Sequence, residues 1–252
     1  MELEEELRRK IAQIQPLDER AMALAKKRWD SIAHPLHSLG LLEDAIVTIA
    51  GAQGSHQVEL NKRCVTPFCA DNGVVAQGVT QSGQDVTTIV TKNFCIGEAS
   101  VCVMARVAGA DVIPVDIGVA QDVTEPGLRV HKIAYGTADI TQGPAMTREQ
   151  AADAILYGMN LVKELKEEGY RLIATGEMGI GNTTTSSALL SVLLHRPVEE
   201  MTGRGAGLSS EGLKRKIDAI HRAIEVNQPD PDDPLDTLHK VGGLDIAGLV
   251  GV

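Results

Sequence analysis

Apolar residues open the chain at helical spacing: Leu3, Leu7, Ile11 and Ile14 lie three or four apart, which puts them on one helix face. Pro16-Leu17-Asp18 restarts the chain. A second helix is expected over Ala21–Trp29, and Leu39-Gly40-Leu41-Leu42-Glu43-Asp44 opens a third. The polar stretch Ala52–Asn61 reads as a linker.

From residue 62 the pattern alternates between short apolar runs and longer amphipathic ones. Cys64–Ala70 reads as a strand stopped by the turn signal Asp71-Asn72-Gly73. Val86–Ala108 reads as one helix. Ala110–Ile117 reads as a strand in which Pro114 marks an edge or a bend, and Arg129–Ile133 as another. Thr147 is placed to cap a helix running to Glu168, with Glu149 and Gln150 in its first turn. Then come a strand over Tyr170–Thr175, helices over Thr183–Leu194 and Leu208–Asn227, a rigid loop over Pro229–Pro234 and a helix beginning at Leu235–His239. Such alternation implies the α/β class, a mainly parallel sheet covered by helices on both faces. A small helical part over residues 1–60 precedes this α/β body over 61–252. The last twelve residues, Val241–Val252, are apolar and uncapped. A run of that kind needs a partner surface, so further chain is expected to follow.

Composition narrows the reading. Aromatic residues make up only 2% of the 252, so the core must come from Leu, Ile, Val, Ala and Met. The net charge of -10 argues against nucleic acid and anionic membrane as partners. Glu2, Glu4, Glu5 and Glu6 make the start acidic, unlike a signal peptide, and the apolar runs are too short to span a bilayer. The cysteines at 64, 69, 95 and 102 form no C-x-x-C pair and read as reduced thiols of a cytoplasmic protein. His34 and His37 lack an H-E-x-x-H partner, so no metal is expected.

Three glycine-rich stretches could carry chemistry. The sharpest, Thr175-Gly176-Glu177-Met178-Gly179-Ile180-Gly181-Asn182-Thr183-Thr184-Thr185, follows a strand and opens a helix. Backbone N–H groups and the helix dipole there suit an anion, and Asn182 and the threonines add donors. Its spacing fits neither a P-loop nor a dinucleotide fingerprint. A plain glycine turn capped by Asn or Thr is the alternative. Glu177 is out of place in a phosphate cradle, so it should face a base, a ribose hydroxyl or a proton-bearing nitrogen; a solvated glutamate is the alternative. Thr202-Gly203-Arg204-Gly205-Ala206-Gly207 precedes a helix bearing Lys214, Arg215 and Lys216. It reads as a second wall of the anion site or as a flexible loop beside a solvated basic face. Asp71, at a strand end, is either a binding carboxylate or part of an Asp-Asn-Gly turn.

Taken together, these stretches resemble the nicotinate-nucleotide–dimethylbenzimidazole phosphoribosyltransferase family. The matching segments include Ser38–Glu43, Ala70–Val74, Val115–Val119, Gly143–Thr147, Gly176–Thr184, Thr202–Gly207, Asn227–Pro229 and Gly242–Gly248. The resemblance covers essentially the whole chain. It implies a Rossmann-like parallel sheet with a small helical part, usually a homodimer, and no cofactor. It implies transfer of a 5-phosphoribosyl group from nicotinate mononucleotide to an aromatic base such as 5,6-dimethylbenzimidazole, with inversion at C1′ and release of nicotinate. By similarity, Gly179, Gly181, Asn182, Thr183, Gly205 and Lys216 would hold the ribose phosphate, Glu177 would lie near ribose and incoming base, and Ser82, Val90 and Met178 would line the base pocket. The family's principal general base, a glutamate near the family C-terminus, has no match in residues 1–252. Many relatives have proline after the serine that matches Ser82. Here Gly83 follows, as in relatives that attach phenolic bases such as p-cresol, sometimes paired with a paralogue. A non-catalytic protein that binds the nucleotide or supports a partner subunit is the other reading.

Overall fold

The structure, a computed structural model, describes residues 2–252. Two compact units are present, Arg8–Asn61 and the remainder. Helix α1 (Glu2–Ile11) contributes to both. Its residues 2–7 belong to the larger unit, where Leu7 enters the core and Glu4 accepts a hydrogen bond from Arg148 Nε at 2.9 Å.

The smaller unit pairs α2 (Glu19–Asp30) with α3 (Leu41–Gln53). Asp18 caps α2 by accepting from Ala21 N at 2.9 Å. The two helices approach at Gly51, where an added Cβ would lie 2.7 Å from Met22 Cγ. Glu43 is buried and accepts from Leu39 N at 3.1 Å.

The larger unit is built on a parallel sheet. Strand β1 (Arg63–Ala70) lies at its centre. One edge pairs in register with β5 (Leu172–Met178), from Arg63 opposite Leu172 to Cys69 opposite Met178. The other edge pairs first with β2 (Asp111–Val112), then with β3 (Val115–Gly118), and β3 pairs with β4 (Arg129–Val130). Strand β2 and strand β3 are thus one line of chain interrupted at Pro114. The expected strand over Ala110–Ile117 is corrected to these two pieces. It bends as Pro114 suggested, but it is interior: Ile113 N donates to Val65 O at 2.8 Å on one side, and Pro114 O accepts from Arg129 N at 3.0 Å on the other.

Side-chain alternation along β1 divides the core between the two faces. Cys64, Phe68 and Ala70 belong to the larger apolar cluster, with α6 (Arg148–Glu167), α10 (Pro234–Val241) and α11 (Leu244–Gly251). Cys69 faces the other way, among Phe94 of α4 (Asp85–Ile96) and Cys102 of α5 (Ser100–Ala108). The single helix expected over Val86–Ala108 is therefore corrected to two. Gly97, at φ +79°, ends α4 in the left-handed conformation, and its carbonyl accepts from Arg106 Nη1 at 2.8 Å. Both halves carry apolar faces, so periodicity alone ran through the break.

Helix α6 begins with a capping box: Thr147 Oγ1 accepts from Gln150 N at 3.1 Å, and Gln150 Oε1 accepts from Thr147 N at 2.8 Å. The apolar final run finds its partner surface within the chain. It forms α11, which packs on α6 so closely that an added Cβ on Gly158 would sit 2.2 Å from Gly248 O. Gly248 in turn lies against Phe68. The remaining helices are α7 (Asn182–Leu193), the short α8 (Val198–Met201) and α9 (Ser210–Asn227).

Candidate active site

In open α/β sheets ligands bind beyond the carboxyl ends of the strands. Here β1 delivers Asp71-Asn72 and β5 delivers Met178-Gly179 to that end. Strand β5 runs three residues beyond the Thr175 expected from sequence, so Glu177 stands on a strand and not within the glycine turn. The turn Gly179-Ile180-Gly181 follows, and α7 starts at Asn182. Gly181 is its N-cap at φ +99°, and no side chain caps the helix. Asn182 N and Thr184 N donate to Gly179 O at 3.0 Å and Gly181 O at 2.9 Å, so the helix start offers the cleft the Thr183 N–H and its positive dipole end.

That cleft, about 490 Å³ with its open mouth, is lined by Ser82, Met178, Gly179, Gly181, Asn182, Thr183 and Gly205 among others. Seven of the sequence-derived candidates thus meet in one place. Lys216 lies beneath them. It projects from α9, is 1% exposed, and its Nζ donates to Thr183 Oγ1 at 2.8 Å and to Gly203 O at 3.2 Å. Among the described residues no ion pair includes Lys216, and burial lowers its pKa. Gly205 closes the wall: an added Cβ would stand 2.9 Å from Thr183 Oγ1 and 3.6 Å from Lys216 Nζ. A buried ammonium without a carboxylate costs stability unless an anion joins it.

Glu177 accepts a hydrogen bond from Asn182 Nδ2. Desolvation raises its pKa above the ordinary carboxylate value, and the Asn182 bond pulls it back in part. The residue itself stays exposed to solvent, where its carboxylate can accept a proton from a ligand in the cleft.

The remaining candidates lie apart from the cleft lining. Val90, on α4, packs with Met178 in the smaller apolar cluster. Asp71 is fully buried, and its Oδ2 accepts from Ala120 N at 2.8 Å, tying the end of β1 to the chain after β3. Burial raises its pKa, opposed by that bond. The loop carrying Ser82 is fixed on both sides: Thr80 Oγ1 donates to Ser82 O at 2.7 Å, and Gln81 Nε2 donates to Gly207 O.

Residue-by-residue reading missed the layer behind the turn. Thr87 Oγ1 accepts from Ile180 N at 3.1 Å, Asn72 Nδ2 donates to Ile180 O at 3.5 Å, and Asp245 of α11 is fully buried beside Gly179. Asp245 stood in plain view within Gly242–Gly248, but in an apolar run with no chemistry of its own. Arg204 also lines the cleft. Among the described residues no group of three His, Cys, Asp or Glu could hold a metal, and no helix is long and apolar enough to cross a membrane.

Glycines at strand ends, an uncapped helix start and a buried lysine form an anion cradle on an α/β sheet, a site suited to a phosphorylated ligand. A family model described as a phosphoribosyltransferase matches residues 14–252, and the chain belongs to the nicotinate-nucleotide–dimethylbenzimidazole phosphoribosyltransferase family. A curated relative of that name from Acetivibrio thermocellus is 49% identical over 230 residues, which are 91% of this chain and 66% of the relative. One from Chloroflexus aurantiacus is 47% identical over 243 residues, 96% of this chain and 69% of the relative. The crystal structure of CobT from Thermus thermophilus is similar with a TM-score of 0.86 and 39% identity, covering 92% of this chain and 70% of that one. The chain thus spans 66% to 70% of the length of these three.

Proposed function

We propose that the chain binds nicotinate mononucleotide and transfers its 5-phosphoribosyl group to 5,6-dimethylbenzimidazole, as the names of its relatives indicate for them. The observation that carries this reading is the buried Lys216 ammonium beside the uncapped start of α7, with Thr183 between them. The phosphate lies there, held by Lys216, Thr183 and the Gly179–Thr183 backbone, while Gly205 lets the second loop come close.

With the phosphate fixed, C1′ lies toward Glu177 and the Ser82 side of the cleft. The acceptor nitrogen forms the new bond to C1′ as the bond to the pyridinium nitrogen breaks. Nicotinate leaves with the electron pair, and the anomeric configuration inverts. The acceptor's second nitrogen releases its proton, and Glu177 is the carboxylate of this chain that takes it. Holding donor and acceptor in line supplies roughly 7–11 kcal/mol of the barrier.

A second reading differs in the acceptor. Gly83, next to Ser82, leaves this side of the cleft without a prolyl ring, which favours a phenol such as p-cresol. Parallel assays with nicotinate mononucleotide and either base, resolved by chromatography, separate the two. An α-riboside phosphate from dimethylbenzimidazole supports the first reading, one only from p-cresol supports the second, and nucleotide binding without either product leaves a non-catalytic nucleotide-binding protein.

We also infer a homodimer. Exposed apolar residues on α5, Met104 and Val107 among them, support association, and light scattering tests it. The four free cysteines are consistent with work in the cytoplasm.

A further inference from the structure

The layer behind the glycine turn holds a carboxyl that the transfer chemistry does not use. Asp245 sits in the first turn of α11 and is fully buried. Its Oδ1 accepts from Ile246 N at 2.9 Å, while its Oδ2 has no hydrogen-bond partner, and neither has the buried Oδ1 of Asn72. The two side chains lie side by side between two glycines. An added Cβ on Gly179 would come within 2.6 Å of Asp245 Oδ2 and 2.9 Å of Asn72 Nδ2. One on Gly243 would come within 2.3 Å of Asp245 Oδ1 and 2.6 Å of Asn72 Oδ1. The pair is therefore clamped directly against the back of the turn.

Asn72 carries the contact forward. Its Nδ2 donates to Ile180 O at 3.5 Å, and its own carbonyl accepts from Gln84 Nε2 at 3.2 Å. Ile180 is also held through its N–H by Thr87. The residue between Gly179 and Gly181 is thus fixed from both sides, and Asn72 is one of the two grips.

We infer that Asp245 is a positioning residue: a neutral Asp245 carboxyl paired with the Asn72 amide braces the Gly179–Gly181 turn in its ligand-receiving shape. A carboxylic acid and a primary amide can exchange two hydrogen bonds, the acid O–H donating to the amide oxygen and the amide N–H donating to the acid oxygen. That exchange satisfies both unpartnered oxygens, which an ionised carboxylate beside the Asn72 oxygen leaves unmet. The surroundings favour the neutral form. Burial, with the negative charge of Glu177 on β5 adding to it, pushes the Asp245 carboxyl up to about 7, although the Ile246 N–H and the Asn72 amide pull it down in part. The other titratable groups on the strands behind it are Cys69 on β1, Asp71 at its end and Asp116 on β3, and all are buried. Of the cations on this side, Lys132 is engaged with Asp116 at 3.0 Å, and Arg63 stands at the opposite end of β1.

The consequence for nicotinate mononucleotide rests on the proposed function, so the test has two independent readouts. Hydrogen–deuterium exchange of the segment 176–184 is followed in wild type, Asp245→Asn and Asp245→Ala, and calorimetry measures nicotinate mononucleotide binding by the same proteins. Asp245→Asn keeps a neutral partner of the same shape and is expected to match wild type within about threefold in both. Asp245→Ala is expected to exchange at least tenfold faster across the segment and to bind the nucleotide at least tenfold more weakly. Unchanged exchange in Asp245→Ala, or an Asp245→Asn protein as impaired as Asp245→Ala, overturns the brace. Should Asp245→Ala not fold, Asn72→Ser opens the brace from the other side and is expected to raise exchange equally; unchanged exchange there overturns the inference too. If wild type does not bind the nucleotide, the functional reading fails while the exchange comparison still decides the brace.

Discussion

Lys216 Nζ lies 2.8 Å from Thr183 Oγ1, which joins the middle of α9 to the first turn of α7. An ammonium in that position is desolvated, unpaired with any carboxylate and adjacent to a helix start. Each of these makes it a better anion ligand than a surface lysine. Lys216→Ala should weaken nicotinate mononucleotide by roughly 1.5–3 kcal/mol, the range for a hydrogen bond to a charged group. Free nicotinate, which carries no phosphate, should bind almost unchanged. Calorimetry with both ligands checks this, and equal loss for both would mark the lysine as structural.

The Glu177 carboxyl has a pKa above the ordinary value because its surroundings desolvate it. A general base works only when ionised, so the transfer rate should rise with pH through that raised pKa and then level off. Glu177→Gln should lower kcat by roughly 10²–10⁴ and abolish the rise, while nucleotide affinity stays near that of wild type. Steady-state rates from pH 4.5 to 8 check both parts.

Asp245 makes stability itself depend on pH. Its folded-state pKa of about 7 exceeds the value of about 3.9 expected in the unfolded chain. Folding therefore favours the protonated carboxyl. This contribution is fully present below the unfolded value, declines as pH rises between the two, and is lost above the folded one. Thermal melts from pH 4 to 8 should show wild type falling more steeply than Asp245→Asn, in which the group no longer titrates. Parallel curves would contradict the neutral carboxyl.

Gly181 combines φ +99° with crowding, since an added Cβ would lie 3.0 Å from Val75 Cγ2 and 3.1 Å from Asn72 Cβ. Gly181→Ala should cost about 1–2 kcal/mol from the left-handed backbone alone and should also reduce nucleotide affinity. Denaturant titration and calorimetry measure the two effects.

The parts legible in the sequence were those set by local chemistry. Thr147 and Gln150 announced their capping box, Pro114 announced a bend, and three glycines after an apolar strand announced the turn and the helix that follows it. What local patterns did not carry was long-range packing. The α4–α5 break at Gly97 was hidden because both halves bury an apolar face. The apolar run from Val241 looked unpartnered because its partner, Gly158 on α6, lies far earlier in the chain. Asp245 gave no signal because nothing nearby in sequence marks a carboxyl as buried behind a loop that β5 supplies. Val90 and Asp71 stand at one remove from the cleft for the same reason: sequence places them on the right elements but not on a given face.

The phosphate's position is the claim on which the rest depends. A crystal of this chain soaked in nicotinate mononucleotide, with the phosphorus located by its density, tests it most directly. That phosphorus is expected over the start of α7, its oxygens within hydrogen-bonding reach of Lys216 Nζ and Thr183 Oγ1. A well-ordered nucleotide with its phosphate elsewhere, and Lys216 untouched, would contradict it.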